Sequence, residues 1–306
     1  MARRTPLQRL ISQHIVRPLG TLALHVVHAV LSVLPIDTAS ALGGGVARTI
    51  GPRLGLSRRA RKNLARVFPE MSPERIEAVV REMWDNLGRV AAELPHLPQI
   101  KVFDGDPVPG TSRVEWTGLE HVDAARDCGK PIIFFTAHIG NWEIGPLATA
   151  RRGLPLNVVY RSSNNIYADQ IFLRGRRQVV DDLIPKGAEG GRRILTVLQA
   201  GKALGMLVDQ KMNDGIAVPF MGRDAMTAPA LAQLALKYDC VVLPAWVERL
   251  NGARFRLHIE PPLTLARTAD RHADILALMT AVNARMEDWI RRRPGQWLWL
   301  HRRWPD

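Results

Sequence analysis

A chain of 306 residues that is 46% hydrophobic can bury a core of its own, which argues against a disordered protein. The net charge of +13 lies at the ends: residues 1–66 hold eleven Lys/Arg against the single acid Asp37, and residues 291–306 hold five arginines against Asp306. Two cysteines without metal-ligand spacing, Cys128 and Cys240, fit a reduced compartment and read as ordinary buried small residues.

Basic ends suit a nucleic acid or an anionic membrane, and the segment between the first basic clusters separates the two. Residues 18–36 (PLGTLALHVVHAVLSVLPI) run for nineteen positions without Lys, Arg, Asp or Glu. That length barely crosses a bilayer, His25, His28 and two prolines weaken it as a span, and arginines on both sides give no orientation. The expectation is a helix embedded in or lying on the membrane, with a buried core helix as the alternative. No small-residue cleavage site follows, so a signal peptide is disfavoured. Residues 71–94 (MSPERIEAVVREMWDNLGRVAAEL) combine a Ser-Pro start, an early glutamate and apolar residues at helical spacing, which predicts an amphipathic helix.

Short β-rich runs follow at 131–137, 156–161, 203–208, 240–247 and 254–260, mostly separated by helical stretches. Strands apolar on both faces and joined by helices predict an α/β fold, a largely parallel central sheet flanked by helices, preceded by the N-terminal membrane-associated helical segment. The expected boundaries are 1–36 for the anchor and 37–306 for the main domain, divided into a helical part (37–100), an α/β core (about 112–262), and a C-terminal helix with a basic Trp-rich tail (270–306).

In such a sheet, sites form at the carboxyl ends of the strands. His138 is the first polar side chain past the run PIIFFTA, and Glu143 follows five positions later. Five residues of α-helix rotate by about 500°, so the two cannot pair within one regular helix. If His138 instead lies in the strand-to-helix turn, Gly140 permits the bend, Asn141 caps the helix, and Glu143 in its first turn can reach back. A carboxylate on one imidazole nitrogen would leave the other free as a general base. Asp209 follows the 203–208 run as His138 follows its own, and should face the same crevice, positioning an arginine or an acceptor sugar. No metal site is expected, because neither H-E-x-x-H nor a Cys/His cluster is present. The C-terminal stretch 289–304 holds four of the eight tryptophans among arginines, which reads as a membrane-interface signal rather than a nucleic-acid platform.

AHIGNWE (137–143) resembles the His-x4-Asp/Glu box of the lipid A late acyltransferases, within the wider glycerolipid acyltransferase superfamily. RKNLARVFPEMS (61–72), VVYRSSNN (158–165), LVDQKMNDGIAVPFMG (207–222), TAPALAQLALKYDCVVLPAWVER (227–249) and RRRPGQWLWLHRRW (291–304) extend the likeness over most of the chain. The resemblance implies transfer of a fatty acyl group from acyl carrier protein, or acyl coenzyme A, to a hydroxyl of a chain already on a lipid A precursor. It implies no further cofactor, location at the cytoplasmic face of the inner membrane, and contact with its anionic lipids. His138 and Glu143 would be catalytic. Arg161, at the end of the second strand run, would clamp a phosphate, with Asp209, Gln210, Asn141 and Arg177 also binding substrate; the register across Arg174, Arg176 and Arg177 stays open. Other glycolipid or phospholipid acceptors remain alternatives, as does a soluble thioesterase or hydrolase, although no G-x-S-x-G elbow is present.

Overall fold

In the computed structural model, which describes residues 17–102, 112–160, 173 and 176–304, the chain begins with helices. These are α1 (Arg17–Val33), α2 (Ile36–Ile50), α3 (Ser57–Val67) and α4 (Pro73–Glu93). The Ser-Pro pair starts α4 as expected: Ser72 Oγ accepts the Arg75 amide at 3.3 Å, and Pro73 takes the first turn, where its missing N–H has no helical partner to lose. α1 is 17 residues long, and among the described residues no helix is long and apolar enough to cross a membrane. Its carboxyl end rests on the 94–99 segment, where His96 Nε2 donates to the Leu31 carbonyl at 3.0 Å.

Alternation then builds the sheet. In order come β1 (Val114–Thr117), α5 (Leu119–Asp127), β2 (Ile132–Thr136), α6 (Ile144–Arg151), β3 (Leu156–Tyr160), β4 (Asp182–Pro185), α7 (Ala188–Gln199) and β5 (Ala203–Leu207). After the hairpin β6 (Lys211–Phe220) and β7 (Arg223–Thr227) come α8 (Ala230–Tyr238), β8 (Val241–Asn251), β9 (Arg254–Ile259) and α9 (Arg271–Arg292). Seven strands form one sheet in the order β1-β9-β8-β2-β5-β3-β4, and every pairing is parallel except β8 with β9. The five expected runs are β2, β3, β5, β8 and β9.

Both sheet faces are covered, as parallel strands require. Ile133 and Phe135 of β2 point into a core shared with α3, α4, α8 and α9, whereas Ile132 and Phe134 point into a second core shared with α5 and α6. The first core contains the C-terminal tryptophans, which corrects the interface expectation. Trp289, Trp297, Trp299 and Trp304 are at most 5% exposed. Each indole N–H finds an internal acceptor: Glu260, Asp209, the Pro294 carbonyl and the Phe220 carbonyl, at 2.6, 2.8, 2.8 and 3.1 Å. A tryptophan so satisfied has no need of an interface. Cys240 is buried as expected, but Cys128 is exposed at the end of α5.

Candidate active site

The register of the sheet brings two strand-end residues together. β2 and β5 are parallel neighbours with Thr136 opposite Leu207, and the Val208 amide donates to the Thr136 carbonyl at 3.1 Å. Two residues farther along each chain stand His138 and Asp209. His138 Nδ1 donates to Asp209 Oδ1 at 2.7 Å, and the His138 backbone N–H donates to Oδ2 of the same carboxylate at 2.9 Å. The Trp297 indole also donates to Oδ2. Asp209 is fully buried. Burial alone would raise its carboxyl; the adjacent His138 charge and hydrogen bonds, with His301 nearby, outweigh it and hold the group well below the usual carboxylate range. An ionised carboxylate only accepts, so the proton sits on Nδ1 and Nε2 is free.

This geometry replaces the expected pairing of His138 with Glu143. Glu143 Oε2 accepts from Arg176 Nε at 2.8 Å, and Oε1 from the Trp142 indole at 3.0 Å and from a second nitrogen of Arg176. It closes an ion pair at the amino end of α6 in place of a bond to the imidazole. Among the described residues of the FLRGRRQ stretch, Arg176 reaches the site, while Arg177 is exposed. Arg161 and Arg174 lie outside the described residues.

The 137–143 turn is held from behind. Gly140 has φ of +58°, and a Cβ there would lie 1.7 Å from the Val247 carbonyl oxygen, so only glycine fits the left-handed, closely approached position. Asn86 donates to the Gly140 carbonyl at 2.9 Å, and Asn141 donates to Glu93 at 2.7 Å while accepting the Glu143 amide at 3.2 Å. Glu93 meets Arg249 through two hydrogen bonds of 2.5 and 3.0 Å, and both are buried. Asn141, with no exposed surface, thus braces the turn and does not face a substrate. The C-terminal segment closes the other side: the Leu298 amide donates to the His138 carbonyl at 3.0 Å and the Gly140 amide to the Gln296 carbonyl at 3.1 Å.

His301 arrives on that segment, its ring 5.3 Å from the His138 ring. Burial pushes its imidazole down to about 4, so it is neutral at neutral pH. Gln210, beside Asp209, holds its amide nitrogen 3.5 Å from His138 Nε2 and 3.3 Å from His301 Nε2. Sequence reasoning misses His301 and Trp297; the available signal, tryptophans interleaved with arginines, reads as a membrane-interface stretch.

Below His138 opens a cavity of about 480 Å³ between the sheet and α6. Its mouth includes His138, Trp142, Arg176, Gln210 and His301, its walls include Tyr160, and its depth is lined by Phe134, Val158, Leu156 and Gly205. An apolar bore with a basic imidazole and an arginine at its mouth suits a molecule with a hydrocarbon tail and a polar, reactive head. Among the described residues no group of three or more His, Cys, Asp or Glu could hold a metal ion.

The family described as bacterial lipid A biosynthesis acyltransferase matches residues 8–306. The chain belongs to this family. As a member it is an acyltransferase. It is similar to the lipid A biosynthesis acyltransferase of Haemophilus influenzae, 23% identical over 275 residues that cover 88% of this chain and 82% of that protein. The lipid A biosynthesis myristoyltransferase of Escherichia coli is 26% identical over 253 residues, covering 81% and 75% of the two chains. The phosphatidylinositol mannoside acyltransferase of Mycobacterium tuberculosis is 25% identical over 266 residues, covering 82% and 78%.

Proposed function

We propose that this acyltransferase moves a fatty acyl group from a thioester, on acyl carrier protein or coenzyme A, to a hydroxyl of an acyl chain on a lipid A precursor. The observation that carries the reading is the His138–Asp209 pair standing at the mouth of an apolar cavity. His138 Nε2 takes the proton from the acceptor hydroxyl as its oxygen attacks the thioester carbonyl. The tetrahedral intermediate collapses with loss of the thiolate, which receives the proton back from the imidazolium. Asp209, anionic and out of water, holds Nδ1–H and stabilises the imidazolium in passing. No covalent acyl-enzyme is involved, since the hydroxyl attacks directly. Gln210 and neutral His301 offer hydrogen bonds at the mouth, and Arg176, fixed by Glu143, places positive charge beside it. Arg161 serves in this reading as a phosphate clamp, and its replacement by Lys should weaken substrate binding without moving the pH profile of the rate.

Location at the cytoplasmic face of the inner membrane, on its anionic lipids, is part of the same proposal. It is supported by α1 and α2, where Val26, Val27, Val30 and Val33, then Leu42, Val46 and Ile50, are each more than half exposed. Exposed Arg53 and Arg58 follow directly, the composition of a helix pair lying in a headgroup layer. The reading is tested by incubating the purified protein with an acyl thioester and a lipid A precursor and weighing the product. A mass gain of one acyl chain, lost in a folded His138→Ala variant, is expected; transfer by that variant at the wild-type rate would refute the mechanism.

A further inference from the structure

The cavity owes its depth to one residue that the backbone does not require. Gly205 is the middle residue of β5, a central strand buried on both faces. It sits opposite Phe134 of β2 and Val158 of β3, in two parallel pairings without a bulge. Its φ lies outside the left-handed region. Glycine inside a strand costs roughly 0.5–1 kcal/mol relative to alanine, and a central parallel strand favours β-branched residues, so neither turn chemistry nor stability explains it.

What remains is space. Side chains alternate across a sheet, and Phe134 and Val158, the cross-strand neighbours of Gly205, both line the cavity. A Cβ on residue 205 would come 3.3 Å from Leu156 Cδ1, which must give by a few tenths of an ångström, and 3.5 Å from Val158 Cγ2, an ordinary van der Waals contact, so a small side chain fits and a larger one must extend into the void. Thr136 and Leu207 form the next level toward His138, two residues or about 6.7 Å higher along the strands.

Building on the acyl-transfer reading above, we propose that Gly205 sets the length of the acyl chain accepted. It leaves the sheet bare at the level where the end of the chain lies. A valine or leucine there would raise the floor by most of one residue level and exclude the last methylenes, without touching the reacting atoms.

The test compares wild type with Gly205→Ala, Gly205→Val and Gly205→Leu across a series of saturated acyl thioesters of increasing length. Displacement of a fluorescent fatty-acid probe by free fatty acids of the same lengths is measured in parallel. The preference for the longest accepted chain over one several methylenes shorter should fall in the order Ala, Val, Leu, by on the order of 10²-fold for the largest side chain. Turnover on the short chain should fall by far less than turnover on the longest one. The binding assay needs no turnover, so a protein that shows the same shift in fatty-acid binding but transfers nothing would uphold Gly205 and refute the catalytic reading. Folded Gly205→Ala and Gly205→Val variants with the wild-type length profile, or with equal losses at every length, would overturn the inference; these two substitutions are small enough to decide the matter if Gly205→Leu does not fold.

Discussion

The two basic ends of the chain look alike in composition and behave differently. Each sets arginines beside large apolar residues, yet α1 and α2 turn Val26, Val30, Leu42, Val46 and Ile50 outward, while the C-terminal segment turns Trp297, Trp299 and Trp304 inward. The difference lies in what the polar groups can reach. In the tail every indole N–H meets an acceptor, and the guanidinium of Arg303, wholly buried, donates to the Met226 carbonyl at 2.9 Å and to Thr227 Oγ1 at 2.8 Å. Burial lowers that guanidinium to about 10, still charged at neutral pH. On α2, by contrast, the apolar residues recur every fourth position on a face over which none of the described residues packs. Charge and hydrophobicity alone do not separate these cases; the partners of the polar tips do.

Perturbing each end should give opposite results. Trp289→Ala removes a side chain with no exposed surface and should cost about 3–5 kcal/mol in urea unfolding. A loss below 1 kcal/mol would mean the tail is not core. Replacing Leu42, Val46 and Ile50 together by Ser should leave the unfolding midpoint nearly unchanged and weaken binding to anionic vesicles in molar salt by on the order of 10²-fold, since salt screens arginine–phosphate attraction and leaves apolar burial in place. Retained binding would place the membrane contact elsewhere.

A smaller effect sharpens the comparison on the tail side. His301, folded, titrates near 4 against about 6.5 when unfolded, so between those values the unfolded chain binds more protons and stability falls as pH drops. Wild type should lose about 2 kcal/mol from this group between pH 7 and pH 5, and His301→Gln should flatten that limb. Equal pH dependence in both proteins would show that His301 is not held neutral by burial.

How much of this was legible depends on distance along the chain. The long apolar runs of β2, β3, β5 and β8 stand out because they exceed four residues. β1 and β4, at four residues each, fall below what periodicity resolves. His138 and Asp209 were each visible as polar residues ending a strand. Their pairing was not, because it follows from β2 lying beside β5 rather than beside β3, its next strand in the chain. Glu143 reads as the partner of His138 because it is close in sequence, but Arg176, thirty-three residues away, claims it. Local spacing shows which residues can be near a strand end, and strand order decides which of them touch.

In the proposed mechanism Asp209, and not Glu143, is the partner that makes His138 a base. Steady-state kinetics of Asp209→Asn and Glu143→Gln on a saturating thioester test it directly. Asp209→Asn should lower kcat by about 10²- to 10⁴-fold with little change in KM, the loss of general-base assistance, whereas Glu143→Gln should act mainly on KM by loosening Arg176 at the mouth. A folded Asp209→Asn variant that keeps the wild-type kcat, beside a Glu143→Gln variant that abolishes turnover, would make Glu143 the partner instead.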